Sequence, residues 1–411
     1  MARKSILIAH PGATSLLYPL VGILRGLDVE LAFHTSYIYR PGDTADRLAG
    51  LLPGSLRERA RRQLSRRSHP DVDPVVVHRH PMGEIAYLAA NRLASAAFGQ
   101  RMLRLRNDRF DGQIAAAVRQ APPDLYIGFD GSSLFALRAC RDAGVPSMMF
   151  QAIGHIDAGH ALLGEERRRH PQFTHAAVEF DTPSWRERNA SEALLADHIV
   201  VPSTFVRDTL IAACRPDRGI HLLPYPVDTT RFTPATPSGG RGLRVLFAGH
   251  VGMRKGVVYA LEAIRALGRD DIRLTLVGTA TDGTAWLEPY RGLFEHIPGV
   301  PYAEMPRLFQ AADAFVFPSL FEGSAMVVNE ALASALPAIV TANSGSIVRD
   351  GVEGFVVPIR DSAAIADRLA QLADDPALRA RMAAAARARA EAHDFAAYRT
   401  AFSGLIERVA R

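Results

Sequence analysis

Phe317 to Ser346 reads FPSLFEGSAMVVNEALASALPAIVTANSGS. An apolar strand, Ala314–Ser319, ends inside it, and a loop carrying Glu322-Gly323-Ser324 follows. A helical run from Met326 to Ala335 is stopped by Pro337, and a second strand runs from Ala338 to Ala342. Strand, glycine-bearing turn, helix and strand make a βαβ unit. Such a turn sits at the carboxyl end of a parallel strand, where open α/β sheets bind ligands. The unpaired N–H groups of Ser324, Ala325 and Met326 would open the helix and suit an anionic or hydroxyl-rich ligand. Two carboxylates frame the turn, Glu322 just before it and Glu330 inside the helix.

The alternation extends in both directions. Within the second half of the chain, Leu243–Gly249, Arg273–Gly278 and Gly354–Pro358 read as further strands. Val257–Leu267, Met305–Ala311, Ser362–Ala373 and Pro376–His393 read as helices. Phe395, Tyr398, Phe402, Leu405, Ile406 and Val409 recur at helical spacing in the tail. Towards the N-terminus, strands are expected at Lys4–His10, Val29–Thr35, Val75–His80, Leu125–Asp130, Pro146–Ile153, His198–Ser203 and Ile220–Pro224. Helices are expected at Leu16–Gly26, Glu84–Gln120 and Ser132–Ala143, and an interrupted helical run at Leu48–Arg67. Short apolar strands alternating with helices argue for parallel sheets covered on both faces, so the fold class is α/β. Between the halves, Tyr225–Gly242 (YPVDTTRFTPATPSGGRG) is a linker by composition. The expected organisation is two Rossmann-like domains, 1–226 and 243–393, with a linker at 227–242 and a C-terminal helix at 394–411. Domains so joined place a ligand in the cleft between them. Gly12, in the first βα turn, allows close backbone approach to that ligand.

Composition narrows the class. A chain of 411 residues exceeds one ordinary core. Hydrophobic content of 48% with 22% charged residues describes a globular protein, and no run reaches the apolar length of a membrane span. The opening MARKSILIAHPG has too short an apolar stretch for a signal peptide, so it reads as a buried first strand of a cytoplasmic protein. Cys140 and Cys214 fit no metal or redox spacing and read as buried thiols. Arg57, Arg59, Arg61, Arg62, Arg66 and Arg67 stand against Glu58 alone. A basic helix of this kind is either a solvated surface or a contact for anionic headgroups at the inner membrane face. Few aromatics interleave it, which argues against nucleic acid.

Leu246 to Gly256 reads LFAGHVGMRKG. Arg254 and Lys255 precede Gly256 where a helix begins, a combination that favours anions. One cationic and one acidic strand-end loop in the same domain suit a nucleotide sugar: cations for the diphosphate, carboxylates for hydroxyls.

The runs GHVGMRKGVVYALEAI, LTLVGT, FQAADAFVFPSLFEGSAMVVNEALASALPAIVTANSGS and DGVEGFVVP resemble the retaining glycosyltransferases of family 4, which have the GT-B fold. Glu322 and Glu330 match that family's E-x7-E motif. The likeness covers nearly all of the second half; VVPSTFVRDTL and LLPYPVDTTRFTP extend it weakly into the first. It implies two domains facing each other across a cleft, with the C-terminal helix crossing back to the first. It also implies a metal-independent hexosyltransferase without cofactors, taking a nucleotide sugar such as a UDP- or GDP-sugar. The acceptor would be a carbohydrate or a lipid-linked molecule, in cell-envelope polysaccharide or glycolipid synthesis. Implied catalytic residues are His155, Arg254, Lys255 and Glu322. Implied donor contacts are Gly12, Gly249, His250, Arg254, Lys255, Gly278, Tyr302, Glu322, Gly323, Ser324, Ala325, Met326 and Glu330.

Three departures stand out. His250 replaces a common arginine, Ala335 stands where the family's helix ends on glycine, and Ser324-Ala325 replaces an aromatic plus glycine. Asp71-Val72-Asp73 forms a D-x-D, a metal motif in another fold, but it lies between Pro70 and Pro74 with no strand leading into it and reads as loop acids. Two other classes stand beside this one. A non-catalytic sugar-nucleotide-binding subunit keeps the donor motif without turnover. A dinucleotide oxidoreductase needs a G-x-G-x-x-G that neither half carries.

Overall fold

A computed structural model describes residues 3–12, 16–39, 42–65, 72, 77–81, 83–84, 87, 96–173, 182–213, 215–235, 242–280 and 283–410. The chain divides into two compact units. The first comprises Met1–Phe150, Glu187–Val200 and Phe402–Arg411; the second comprises Gln151–Arg186 and Val201–Ala401.

The first sheet has seven strands: β1 (Lys4–His10), β2 (Val29–Thr35), β3 (Val77–Arg79), β4 (Leu125–Phe129), β5 (Ser147–Phe150), β6 (His198–Val201) and β7 (Ile220–Leu222). Their order is β3-β2-β1-β4-β5-β6-β7. Ile6, Leu7, Ile8 and Ala9 form a continuous buried run in β1, and β4 is buried throughout. An uninterrupted apolar run is what a strand needs when helices cover both faces. The paired registers from β1 through β6 are parallel. Buried charge holds the helix Leu134–Ala143 against this sheet. Glu192 accepts from the N–H groups of Gly131 (2.6 Å), Ser133 (2.8 Å) and Leu134 (3.0 Å). Asp111 accepts from those of Phe135 and Ala136, and Arg188 binds Asp111 at 2.5 Å. Carboxylates at a helix N-terminus satisfy its orphan donors and its dipole together.

The second sheet has six: β8 (Leu243–Ala248), β9 (Ile272–Val277), β10 (Phe294–Ile297), β11 (Ala314–Phe317), β12 (Ala338–Thr341) and β13 (Gly354–Val357). Their order is β10-β9-β8-β11-β12-β13, and neighbouring strands pair in parallel. From β8 the chain builds outward through β9 and β10, then returns to β11 beside β8 and builds the other way. This reversal makes β8/β11 the topological switch point, where ligands of doubly wound sheets bind. β10 has no counterpart in the sequence reading, because FEHI is short, half-exposed and carries two polar residues at a sheet edge. The helices Ile156–Arg169, Pro183–Leu195 and Thr204–Ala212 also went unanticipated.

The compositional linker is not loose over its described part. Val227 N–H donates to His393 O at 3.1 Å, and Arg387 Nη1 donates to Phe232 O and Ala333 O at 2.9 and 2.7 Å. Residues 236–241 lie outside the described residues. So do Asp71, Asp73 and Cys214; Cys140 is buried, and burial pushes its thiol up to about 12. The tail forms one helix, Phe395–Val409, with Phe402 edge-on to Phe150 at 5.8 Å in the first unit.

The helix opened by the E-G-S turn spans Met326–Ala333, two residues shorter than expected. Ala335 follows in the left-handed region at φ 58°, where the Cβ of an L-residue crowds the backbone. Glycine fits that conformation but loses more chain entropy on folding. Ala335→Gly is therefore expected to raise stability by about 0.5–1 kcal/mol, read as a shifted denaturant midpoint at unchanged slope.

Candidate donor site at the second sheet

β8 and β11 end side by side, and the two loops that leave them are joined by backbone. Arg254 O accepts from Leu320 N–H at 2.9 Å and from Ser319 Oγ–H at 3.1 Å. Gly256 adopts φ 65°, and a Cβ there would lie 2.0 Å from Pro318 O. Only glycine lets the loops approach so closely.

This join carries the side chains to one point. Arg254 Nη1 donates to Glu322 Oε1 at 2.6 Å and to Phe321 O at 2.9 Å. Lys255 Nζ donates to the same Oε1, and Ser319 Oγ lies 3.2 Å from it. Among the described residues nothing donates to Glu322 Oε2. Glu322 is 8% exposed. Burial alone would raise its carboxyl, but Lys255 and Arg254 together hold it below the usual range. Burial lowers the Lys255 ammonium, with Glu322 opposing and Arg254 adding to the shift. Two cations thus share one carboxylate oxygen in a site shielded from water.

Gly323 is enclosed. A Cβ on it would fall 1.6 Å from Ala152 O, its own carbonyl accepts from Ser203 Oγ at 2.5 Å, and Glu322 O accepts from Gly154 N–H at 3.4 Å. The Phe321 ring fills hollows left by Gly154 and Gly159, where added Cβ atoms would each lie 2.7 Å from it. One sequence expectation is corrected here. Ala325 N–H is not open to a ligand, because it donates to Ser344 O at 3.0 Å where the turn Ala342–Ser344 packs against it. Ser324 is 8% exposed, and its Oγ has no hydrogen-bond partner among the described residues.

Glu330, also buried, accepts from Tyr302 Oη at 2.7 Å, and the Arg231 guanidinium lies 5.1 Å over the Tyr302 ring. Burial pushes the Glu330 carboxyl up to about 7, against the Tyr302 hydrogen bond and Arg231. Gly249 and Gly278 close β8 and β9, with N–H donors satisfied by Val277 O and Ile297 O. His250 is exposed and Met326 begins the helix. His155 caps the helix Ile156–Arg169: its Nδ1 accepts from Asp157 N–H at 3.3 Å, and its own N–H donates to Thr209 Oγ1 at 2.9 Å. Burial lowers its pKa, partly offset by Asp157. Gly12 belongs to the first unit, where its N–H lies 3.0 Å from His10 Nδ1. Sequence reasoning missed Ser203, Arg231, Gly154 and Gly159. A glycine inside the helical segment Ile156–Arg169 was the available signal for the last.

Residues 242–375 match the family model described as Glycosyl transferases group 1. The D-inositol 3-phosphate glycosyltransferase of Streptomyces avermitilis is 31% identical over 248 residues, 53% of this chain and 53% of that protein. The match thus spans about half the length of that curated relative. Sucrose-phosphate synthase from Thermosynechococcus elongatus superposes with a TM-score of 0.65 at 15% identity, over 99% of both chains. Anabaena HepE, solved in complex with UDP and glucose, gives 0.61 at 13% identity over 99% of this chain and 100% of its own. Those superpositions make the architecture GT-B, two Rossmann-like sheets of seven and six parallel-built strands. Within that class, residues 242–375 carry the likeness to the group 1 glycosyltransferases.

The Glu330 carboxyl gives a pH signature. At about 7 in the fold against 4.5 ordinarily, it keeps a proton that the unfolded chain has already lost. Stability is then full below 4.5 and falls as pH rises to about 7. Glu330→Gln, which still accepts from Tyr302, abolishes this fall. Between about pH 5 and about pH 8 the variant should gain up to about 3 kcal/mol on the wild type, as measured by urea unfolding at both pH values.

Proposed function

We propose that the protein moves a hexose from a nucleotide-diphosphate sugar to an acceptor hydroxyl with retention of configuration. The observation that carries this reading is the convergence of Arg254 and Lys255 on one oxygen of Glu322 at the switch point of the second sheet. On this reading 243–393 binds the donor, 1–226 binds the acceptor, and 227–242 links them. The two cations bind the diphosphate and stabilise charge on the departing nucleoside diphosphate, a service that in other folds falls to a metal ion. Fixed charges in a dry site are often the largest catalytic term. Glu322 Oε2 accepts from a sugar hydroxyl, and the unpartnered Ser324 Oγ serves a second. Glu330, oriented by Tyr302, accepts from the ribose hydroxyls. His155 lies near the reacting sugar, and Gly12 approaches the diphosphate. The acceptor attacks from the face that the diphosphate leaves, and the leaving phosphate takes the acceptor's proton. HepE was solved with UDP, which makes UDP-sugars the first donors to try.

Incubation with UDP-, GDP-, ADP- and dTDP-sugars should release nucleoside diphosphate. Lys255→Ala and Glu322→Ala should each lower kcat/KM by about 10²–10³. Unchanged turnover in both variants would sink the assignment, and donor binding without release from any acceptor mixture would favour a non-catalytic subunit.

On this reading the acceptor is a carbohydrate or a lipid-linked molecule met at the cytoplasmic membrane face, in polysaccharide or glycolipid synthesis. Among the described residues no helix is long and apolar enough to cross a membrane. Arg57, Arg61 and Arg62 are exposed on the helix Gly54–Ser65; the Arg59 side chain, Arg66 and Arg67 lie outside the described residues. Binding to phosphatidylglycerol vesicles should weaken with salt and with Arg57→Gln/Arg62→Gln. Equal binding to phosphatidylcholine would rule the contact out.

A further inference from the structure

The first unit holds a basic concavity built from its own residues. β2 and β3 pair with Thr35 opposite Arg79, and His80 N–H continues the ladder to Thr35 O at 2.9 Å. This register brings Ser36 and His80 together at the carboxyl ends of two neighbouring strands. The helix Ala96–Gln120 contributes Arg106, Arg109 and Gln113. These residues and Arg79 line a cavity of about 110 Å³.

Its charge is one-sided. Arg106 is ion-paired to Glu84 at 2.8 Å. Arg79 and Arg109 have no ionic partner among the described residues. His34 Nδ1 sits 3.2 Å from His80 Nε2, and burial holds the His34 ring at about 3 and lowers that of His80. Both rings are therefore neutral near pH 7, and the excess charge is that of guanidinium groups. A second observation is independent of charge. Ser36 is 1% exposed, lines the cavity, and its Oγ has no hydrogen-bond partner among the described residues. A buried hydroxyl without a partner weakens a fold unless something else selects for it.

We propose that this concavity binds a phosphate monoester, with Arg79 and Arg109 as the charge and Ser36 Oγ–H as a donor from its wall. Guanidinium forks match phosphate oxygens in pairs, and a hydroxyl fills a remaining acceptor. Resting on the functional reading above, the bound group is the phosphate of a phosphorylated acceptor; the site itself stands on its own geometry.

The test is calorimetric titration of the full chain with inorganic phosphate in a Lys255→Ala background, which weakens competition from the donor loops. Saturable binding is expected, and Arg79→Gln and Arg109→Gln should each weaken it about tenfold. Arg57→Gln, on another helix, should not. Ser36→Ala should raise Tm without phosphate yet weaken phosphate binding, a pair of effects that a purely structural serine would not give. Absence of saturable binding, or binding indifferent to Arg79→Gln and Arg109→Gln, overturns the proposal. Tighter binding of glycerol phosphate than of phosphate marks a soluble source, and Arg79-dependent binding of phosphatidylglycerol vesicles marks a lipid-borne one. Diphosphate release separates the two readings. Turnover without phosphate binding removes the pocket alone, whereas phosphate binding without any donor turnover removes the functional reading alone.

Discussion

The arrangement of the second unit depends on one crowded oxygen. Glu322 Oε1 receives Arg254 and Lys255 in a nearly dry site, so neither cation is left uncompensated. An unpaired charge at such depth is costly, while a paired one with good geometry is tolerable. The pairing needs the loops after β8 and β11 to touch, and that contact needs Gly256 without a side chain. Topology supplies the adjacency, glycine the approach, and the carboxylate the electrical balance. A diphosphate entering this site would replace an internal anion and would not meet bare charge. The resting site then behaves like a small ion exchanger, with affinity set by a difference between two anions.

The opposing carboxylate has different physics. Glu330 has a tyrosine hydroxyl but, among the described residues, no direct cation, so burial dominates and its proton is held towards neutral pH. Two glutamates eight positions apart thus sit in contrasting electrostatic surroundings. Their roles differ accordingly, with one tied to the cations and the other able to change charge within the working range.

Much of the second half was legible because local pattern and tertiary role coincide there. Apolar strands alternate with helices, and each loop at the switch point announces itself by glycine and charge. Val257–Leu267 is bounded by two left-handed glycines, and its ends match the sequence reading. What was hidden depends on partners distant in the chain. Nothing near Ala325 signals that Ser344 O takes its N–H. Nothing near Ser203 signals a bond to Gly323 O. FEHI lacks the apolar alternation of a strand because an edge position does not demand it. The phosphate concavity was invisible because Ser36, Arg79 and Arg109 meet only through the register of β2 and β3 and the docking of a long helix.

The enclosure of Gly323 has a consequence in time. Its carbonyl is held by Ser203, 120 residues earlier, and Ala152 stands against its Cα from farther back still. The strand, helix and strand around it rely on neighbours close in sequence, but the turn between them takes its shape from segments made much earlier in synthesis. Contacts of such separation close slowly, because chain entropy must be lost before they form. Secondary structure around the turn can therefore precede its final geometry, and the binding loop becomes competent only when both halves of its clamp have arrived.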